Sequence, residues 1–263
     1  MVPTTPSQQN SRTRLHKPNQ PRLCRHSFKK TQLRPHLKKM WCIPPKQNAA
    51  FVANMEDILD LYQQPFDENY PVICMDEKPY QLLGEVRDPL PLKAGSPNRV
   101  DNEYERCGTC SVFVFTEPLG GWRHVHEREH RTKMDWAYEI KELLTVYYPN
   151  VPKVRLVVDN LNTHNFSSLY EAFPACEARE LAKRLEVHYA PKHGSWLNIA
   201  EVELSVLSRQ CLDRRIDKLD VLNGELLVWE NDRNCSQKCV DWQFTTKDAR
   251  IKLKKLYPII CNN

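Results

Sequence analysis

The chain has 263 residues, of which 41% are hydrophobic, enough for one large globular domain or two small ones. It contains neither a run of about 18 apolar residues nor a basic-then-apolar leader, which argues against a membrane span and a secretory signal. Its ten cysteines are irregularly spaced, which favours reduced thiols in an intracellular, cytoplasmic protein over a disulfide scaffold.

The net charge of +5 hides an uneven distribution. Residues 1–50 carry eleven Lys and Arg residues and no Asp or Glu, so the rest of the chain has a net charge of −6. A basic segment joined to an acidic body is typical of a protein attracted to a polyanion such as DNA. Composition alone is equally compatible with a solvated tail, because charged, Pro-rich tails are commonly disordered.

The first half of the chain predicts a helix followed by strands. Between Asn48 and Tyr62 the apolar residues recur at the spacing of one helical face. Residues 71–83 read as a buried strand, and the Pro-rich stretch 88–97 reads as a loop. A hairpin follows, with strands at 109–116 and 122–127 around the turn 118–121.

The second half predicts helices that alternate with strands. Thr132 and Asp135 form a capping box that begins a helix. Two short strands are predicted at 154–158 and 185–189, and helices at 169–184, 197–211, 220–238 and 246–256. A hairpin followed by this alternation predicts an α/β fold with a mixed sheet flanked by helices.

Three acidic residues stand where a strand ends or a helix begins. Asp76 closes the apolar run 72–76, Asp159 closes the run 154–159, and Glu201 lies in the segment 195–201. Carboxylates at the C-terminal edge of neighbouring strands meet where open α/β sheets gather their ligands. Carboxylate oxygens suit Mg²⁺ or Mn²⁺, and two such ions support phosphodiester chemistry. The sequence therefore predicts a two-ion site for Mg²⁺ or Mn²⁺.

Helix geometry selects between two candidates for the third acid. At about 100° per residue, Ala200, Leu204 and Leu207 share the stripe that faces the sheet. Glu201 falls beside this stripe among small polar residues, whereas Glu203 points about 200° away, so a straight helix cannot bring both to one ion pair. Glu201 is the chosen ligand and Glu203 is the fallback.

Three segments together resemble the mariner-like bacterial insertion-sequence transposases of the DDE superfamily. They are Met75–Leu83, Val157–His164 and Tyr189–Glu201, and the resemblance runs from about residue 33 to residue 258. It implies an RNase H-like fold in which Asp76, Asp159 and Glu201 are catalytic metal ligands. The implied activity is DNA strand cleavage followed by transfer of a 3′ hydroxyl into target DNA.

The resemblance also implies partners and a location. The partners are element-end DNA and target DNA, with a possible homodimer in a synaptic complex and no membrane or organic cofactor. The location is the bacterial cytoplasm in association with the nucleoid.

The expected domain organisation departs from that family at the N-terminus. Residues 1–45 are interpreted as a basic, Pro-rich tail with a remnant of a helix-turn-helix region at about 28–37, residues 46–258 as the catalytic domain, and 259–263 as a tail. The chain is therefore expected to be N-terminally truncated. Two other functions stay open: a non-catalytic DNA-binding relic or regulator of full-length transposase, and a nuclease without strand transfer.

Five residues near the acids are candidates for DNA contact. Asn160 and His164 follow Asp159, and Lys192, His193 and Asn198 precede Glu201; the five are predicted to contact phosphate or water at the site. The alternatives are a structural hydrogen bond for His164 and a solvated side chain for Lys192.

Zinc is a weaker hypothesis. Cys107 and Cys110 have the spacing of a zinc knuckle, Cys235 and Cys239 offer two more thiolates, and His124, His126 and His130 form another cluster. Single short Cys pairs lack the paired signature of zinc modules, which disfavours a site there.

Overall fold

A computed structural model describes residues 46–259, where a five-stranded mixed sheet forms the centre. The tail 1–45, with its predicted helix-turn-helix remnant, and residues 260–263 lie outside the described residues. The strand order is β3-β2-β1-β4-β5. The strands are β1 (Val72–Glu85), β2 (Tyr104–Glu117), β3 (Trp122–Arg128), β4 (Val154–Val158) and β5 (Leu185–Tyr189). β1, β2 and β3 pair antiparallel, and β1, β4 and β5 pair parallel, which confirms the predicted mixed sheet.

Helices cover both faces of this sheet. They are α1 (Ala49–Tyr62), α2 (Lys133–Glu142), α3 (Phe166–Ala172), α4 (Ala175–Lys183), α5 (Ala200–Gln210), α6 (Leu219–Ser236) and α7 (Thr246–Lys252). α2 begins at the predicted capping box, in which Thr132 accepts a hydrogen bond from the backbone N–H of Asp135. No helix within residues 46–259 is both long and apolar enough to cross a membrane.

The single helix predicted over residues 169–184 is wrong. Two helices, α3 and α4, replace it, and the chain between them is extended at Phe173, with φ −130° and ψ 158°. The cause is Pro174, because the proline ring disfavours the helical conformation of the residue before it.

Alternation along the strands separates two cores. One face of the sheet packs Ile73 and Met75 of β1 against α2, α3 and α4. The opposite face packs Cys74 against α1 and the start of α5, and carries Val112 and Val114 of β2 towards α5 and α6. Successive strand residues point to opposite faces, so neighbours in β1 serve different cores.

β1 does not end at Asp76 but runs on to Glu85. Its parallel pairing with β4 covers only Val72–Cys74, whereas its antiparallel pairing with β2 continues to the strand end. The parallel half of the sheet therefore stops just before Asp76, near the point where β4 ends at Val158. Asp76 and Asp159 both lie at this edge.

Candidate active site

Two aspartates lie at the edge where the parallel pairing ends. Asp76 is half-buried in β1, and its Oδ1 accepts a hydrogen bond from the backbone N–H of Glu77 at 2.8 Å. Asp159 follows the last residue of β4, and 30% of its side chain is exposed. Both carboxylates are therefore carried out of the core by a buried strand and remain within reach of solvent.

Glu201 reaches the same edge because Asn198 ties the start of α5 to β1. The Asn198 side chain donates to the carbonyl oxygen of Met75 at 2.8 Å and accepts from the backbone N–H of Ala200 at 3.2 Å. Met75 precedes Asp76, so this bridge holds the first turn of α5 beside that aspartate. Glu201 lies in that turn and is exposed.

The charges of these carboxylates act on one another. Burial raises the pKa of Asp76 to about 7, and repulsion from Glu77, Asp159 and Glu201 adds to the rise against the opposing hydrogen bond from the Glu77 backbone. Asp159 and Glu201 therefore lie near enough to Asp76 for their charges to affect it.

The buried histidine His164 contacts Asp159. His164 is 1% exposed, with Nδ1 at 2.5 Å from Asp159 Oδ1 and Nε2 at 3.2 Å from Glu77 Oε2. The angles at both contacts depart from hydrogen-bond geometry, so they are ion-pair contacts. Burial lowers the pKa of His164, but the two carboxylates raise it more, to about 9, so the imidazole is a cation at neutral pH.

Glu203 has a different environment, although it lies two residues from Glu201. Its side chain is 2% exposed, and Oε1 accepts from Arg123 at 2.9 Å and from Arg233 at 3.1 Å. Arg233 also contacts Oε2 at 3.1 Å. Both carboxylate oxygens of Glu203 are paired with guanidinium groups. This pairing disfavours Glu203 as the alternative third metal ligand.

The predicted DNA-contacting residues divide into exposed and buried groups. Asn160 is exposed next to Asp159, and Lys192 and His193 are exposed in the turn after β5. His193 has a positive φ of 68°, a backbone conformation that is uncommon for residues other than glycine. Asn198 and His164 are each 1% exposed, so their contacts are internal and favour a positioning role.

Two residues of this region were not singled out from the sequence. Glu77 contacts His164, and Lys78 donates from Nζ to Ser208 Oγ of α5 at 2.6 Å. Their adjacency to Asp76 in the sequence is the signal that could have indicated a role at the site. It does not identify their partners, because those partners come from distant parts of the chain.

The cysteine pair lacks the geometry of a zinc knuckle, whereas two of the three histidines belong to a group that could hold a metal ion. Cys107 and Cys110 both lie within β2, one exposed and one buried, and not in the turn that a knuckle needs. His124 and His126 have ligand atoms within 4.8 Å of Glu139, without His130. Arg128 and His126 both contact Glu139 Oε1, and this ion-pair network ties β3 to α2.

The three acids carry oxygen donors of the kind that divalent cations prefer. Within residues 46–259, no Lys or Arg nitrogen lies within 4.0 Å of Asp76, Asp159 or Glu201. Their cationic contact among the described groups is the His164 imidazole beside Asp159, and the carboxylate oxygens are hard donors of the kind that Mg²⁺ and Mn²⁺ prefer.

The fold is similar to that of solved Mos1 transposase structures. The Mos1 transposase paired-end complex with the left transposon end matches at 13% identity with a TM-score of 0.51, over 82% of this chain and 66% of that one. The Mos1 mariner paired-end complexes with Mn and with Mg also match at 13% identity with TM-scores of 0.50, over 82% and 90% of this chain and 67% and 72% of theirs. The chain thus spans just under two thirds of the first Mos1 chain. The likeness confirms the predicted RNase H-like fold.

A family match covers the site itself. The sequence signature described as DDE superfamily endonuclease matches residues 71–223, more than half of the chain, and this range includes all three clustered acids. No curated protein matches the chain significantly. The signature and the fold confirm the predicted superfamily, and the chain belongs to the DDE superfamily endonucleases, a family of nuclease-type enzymes.

Proposed function

We propose that this chain is the catalytic domain, residues 46–258, of a DNA transposase. It cleaves a DNA strand at an element end and transfers the resulting 3′ hydroxyl into target DNA. The observation that carries the proposal is the placement of Asp76, Asp159 and Glu201 at one sheet edge, within the matched family range and near enough for Asp159 and Glu201 to raise the pKa of Asp76. The Mos1 structures named for transposon-end DNA and for Mn or Mg agree with this substrate and these ions.

The three acids act as ligands for two Mg²⁺ or Mn²⁺ ions. When bound, such ions activate an attacking oxygen and offset charge on the phosphate oxygens. Asp76 is held within β1, Asp159 directly follows β4, and Glu201 is held by the Asn198 bridge, so the ligand-bearing segments are placed before substrate arrives. A protein nucleophile is not required.

Exposed polar residues around the acids receive the DNA. Asn160, Lys192 and His193 lie on the solvent side of the sheet edge, where they would contact phosphates that flank the scissile bond. Phosphate contacts of this kind position a duplex without reading its sequence. Selection of element ends then depends on other parts of the assembly, which we propose holds two protomers.

The test is a nicking and strand-transfer assay on labelled element-end duplexes with Mg²⁺. We expect nicked and joined products from the wild type and neither from Asp159→Asn at equal DNA affinity. Nicking without joined products would identify a nuclease without strand transfer. DNA binding without any Asp159-dependent product would overturn the enzymatic proposal in favour of a DNA-binding regulator.

A further inference from the structure

We propose that His164, anchored by Glu77, is a positioning residue that fixes which carboxylate oxygen of Asp159 faces the metal ions. This role rests on the proposed function, because it assumes that Asp159 is a ligand. It assigns a task to a buried pair that neither the family match nor the fold explains.

Asp159 needs such support because of its position in the chain. It lies just after the five-residue strand β4, in a non-helical segment that ends where α3 begins. No regular secondary structure fixes its side chain there. His164 Nδ1 lies 2.5 Å from Asp159 Oδ1, which directs this oxygen inward and leaves Oδ2 for the ions.

His164 is itself immobilised. Its ring is 1% exposed and stacks on Trp136 of α2 at a centroid distance of 5.9 Å and an interplanar angle of 29°. Its backbone N–H donates to the carbonyl oxygen of Leu161 at 3.1 Å, which closes the turn that follows Asp159. A side chain locked by packing transmits its own position to the group it contacts.

The anchor comes from the strand that carries the other aspartate. Glu77 follows Asp76 in β1 and points to the opposite face of the sheet, where its Oε2 lies 3.2 Å from His164 Nε2. β1 therefore places the proposed ligand Asp76 on one face of the sheet. On the other face it places Glu77, which anchors the histidine that contacts Asp159. The contacts of His164 with Glu77 and with Asp159 therefore fix the position of Asp159 relative to Asp76.

Support of this kind affects metal affinity. Groups that contact a metal ligand orient it, and their loss typically weakens metal affinity or activity by about 10–100-fold. We therefore expect His164→Gln and Glu77→Gln to raise the Mg²⁺ concentration for half-maximal nicking by about 10-fold or more. DNA affinity without metal should stay at the wild-type value, because both side chains are buried.

His188→Gln is a matched control. His188 also lies between two carboxylates, with Nδ1 2.7 Å from Asp57 Oδ2 and Nε2 3.5 Å from Glu186 Oε1, but neither partner belongs to the cluster. Its metal dependence should equal that of the wild type. Direct Mn²⁺ binding, measured from the free-ion signal in electron paramagnetic resonance, gives the same comparison without catalysis.

The outcomes separate this role from the proposed function. Wild-type Mn²⁺ binding that is lost in Asp159→Asn but unchanged in His164→Gln and Glu77→Gln would overturn the positioning role alone. If His164→Gln fails to fold, Glu77→Gln decides the question. Absence of Asp159-dependent Mn²⁺ binding in the wild type would overturn the metal site and this role together.

Discussion

Glu201 and Glu203 lie two residues apart in one helix and yet occupy opposite environments. Glu201 is exposed in a cluster of anions, whereas Glu203 is buried against Arg123 and Arg233. Both are glutamates in the first turn of α5, so residue type does not distinguish them, and they differ in the face of the helix on which they lie. The difference lies in the neighbours: an anion without a cationic partner is available to a metal ion, and a paired anion stabilises the fold.

The largest expected effect is on catalysis at Glu201. Glu201→Gln keeps the shape of the side chain but removes an anionic ligand, so Mg²⁺-dependent nicking should fall by about 10³-fold or more. Unfolding of the metal-free variant should match that of the wild type, because the side chain is exposed. Single-turnover nicking rates and urea midpoints check both parts. A variant that nicks at the wild-type rate would remove Glu201 from the site.

The next effect is on stability at Glu203. Glu203→Gln leaves two buried guanidinium groups without a counter-charge, and breaking such a pair costs about 3–5 kcal/mol of unfolding free energy. Equilibrium urea unfolding measures the loss, and Glu201→Gln is its control. The assignment of the two glutamates would be reversed by a Glu203→Gln protein that is as stable as the wild type but inactive.

How much of the contrast between Glu201 and Glu203 the sequence predicts depends on whether the interactions are local in the chain or come from tertiary packing. Helix periodicity separated Glu201 from Glu203, because a local repeat determines which side chains share a face. It did not identify Arg123 and Arg233 as partners, since they come from β3 and α6 and meet Glu203 only through tertiary packing. Strand and helix alternation likewise predicted the mixed sheet but not its strand order.

The same limit applies around the aspartates. Apolar runs that end in an acid located Asp76 and Asp159, because a buried strand carries its last residue to the sheet edge. The contacts of His164 with Glu77 and Asp159 depend on the path of the turn after β4 and were not predictable from residue patterns. Pro174 was a local signal for the break between α3 and α4 that the prediction missed.

A smaller effect should come from metal binding to the folded protein. A cation that binds only the native state stabilises it, by about 1.4 kcal/mol at ten times its dissociation constant. Mg²⁺ should therefore raise the urea midpoint of the wild type and of Glu203→Gln, but raise that of Asp159→Asn much less. An equal Mg²⁺ shift in Asp159→Asn would place the binding site away from the acid cluster.

The smallest expected effect is a gain in stability from a change at Asp76, whereas the change at Glu203 causes a loss. Burial and neighbouring anions raise the folded-state pKa of Asp76 from 3.8 to about 7, so ionisation of this group opposes folding. Asp76→Asn removes the charge and should stabilise the metal-free protein at pH 8 by about 1 kcal/mol, a typical gain when a strained functional group is replaced. The advantage should shrink as the pH falls from 7 towards 4, because the wild-type carboxyl is then protonated in the folded state.

Urea unfolding in EDTA at pH 8 and at pH 4.5 measures the stability difference between wild type and Asp76→Asn. Comparing the two proteins cancels the titration of His164 and other shared groups, provided that these titrate alike in both. A destabilised Asp76→Asn at pH 8 would mean that its carboxylate is compensated as Glu203 is. A stabilised but inactive Asp76→Asn would show that the anions gathered for metal ions oppose the stability of the metal-free fold, whereas the paired anion in α5 supports it.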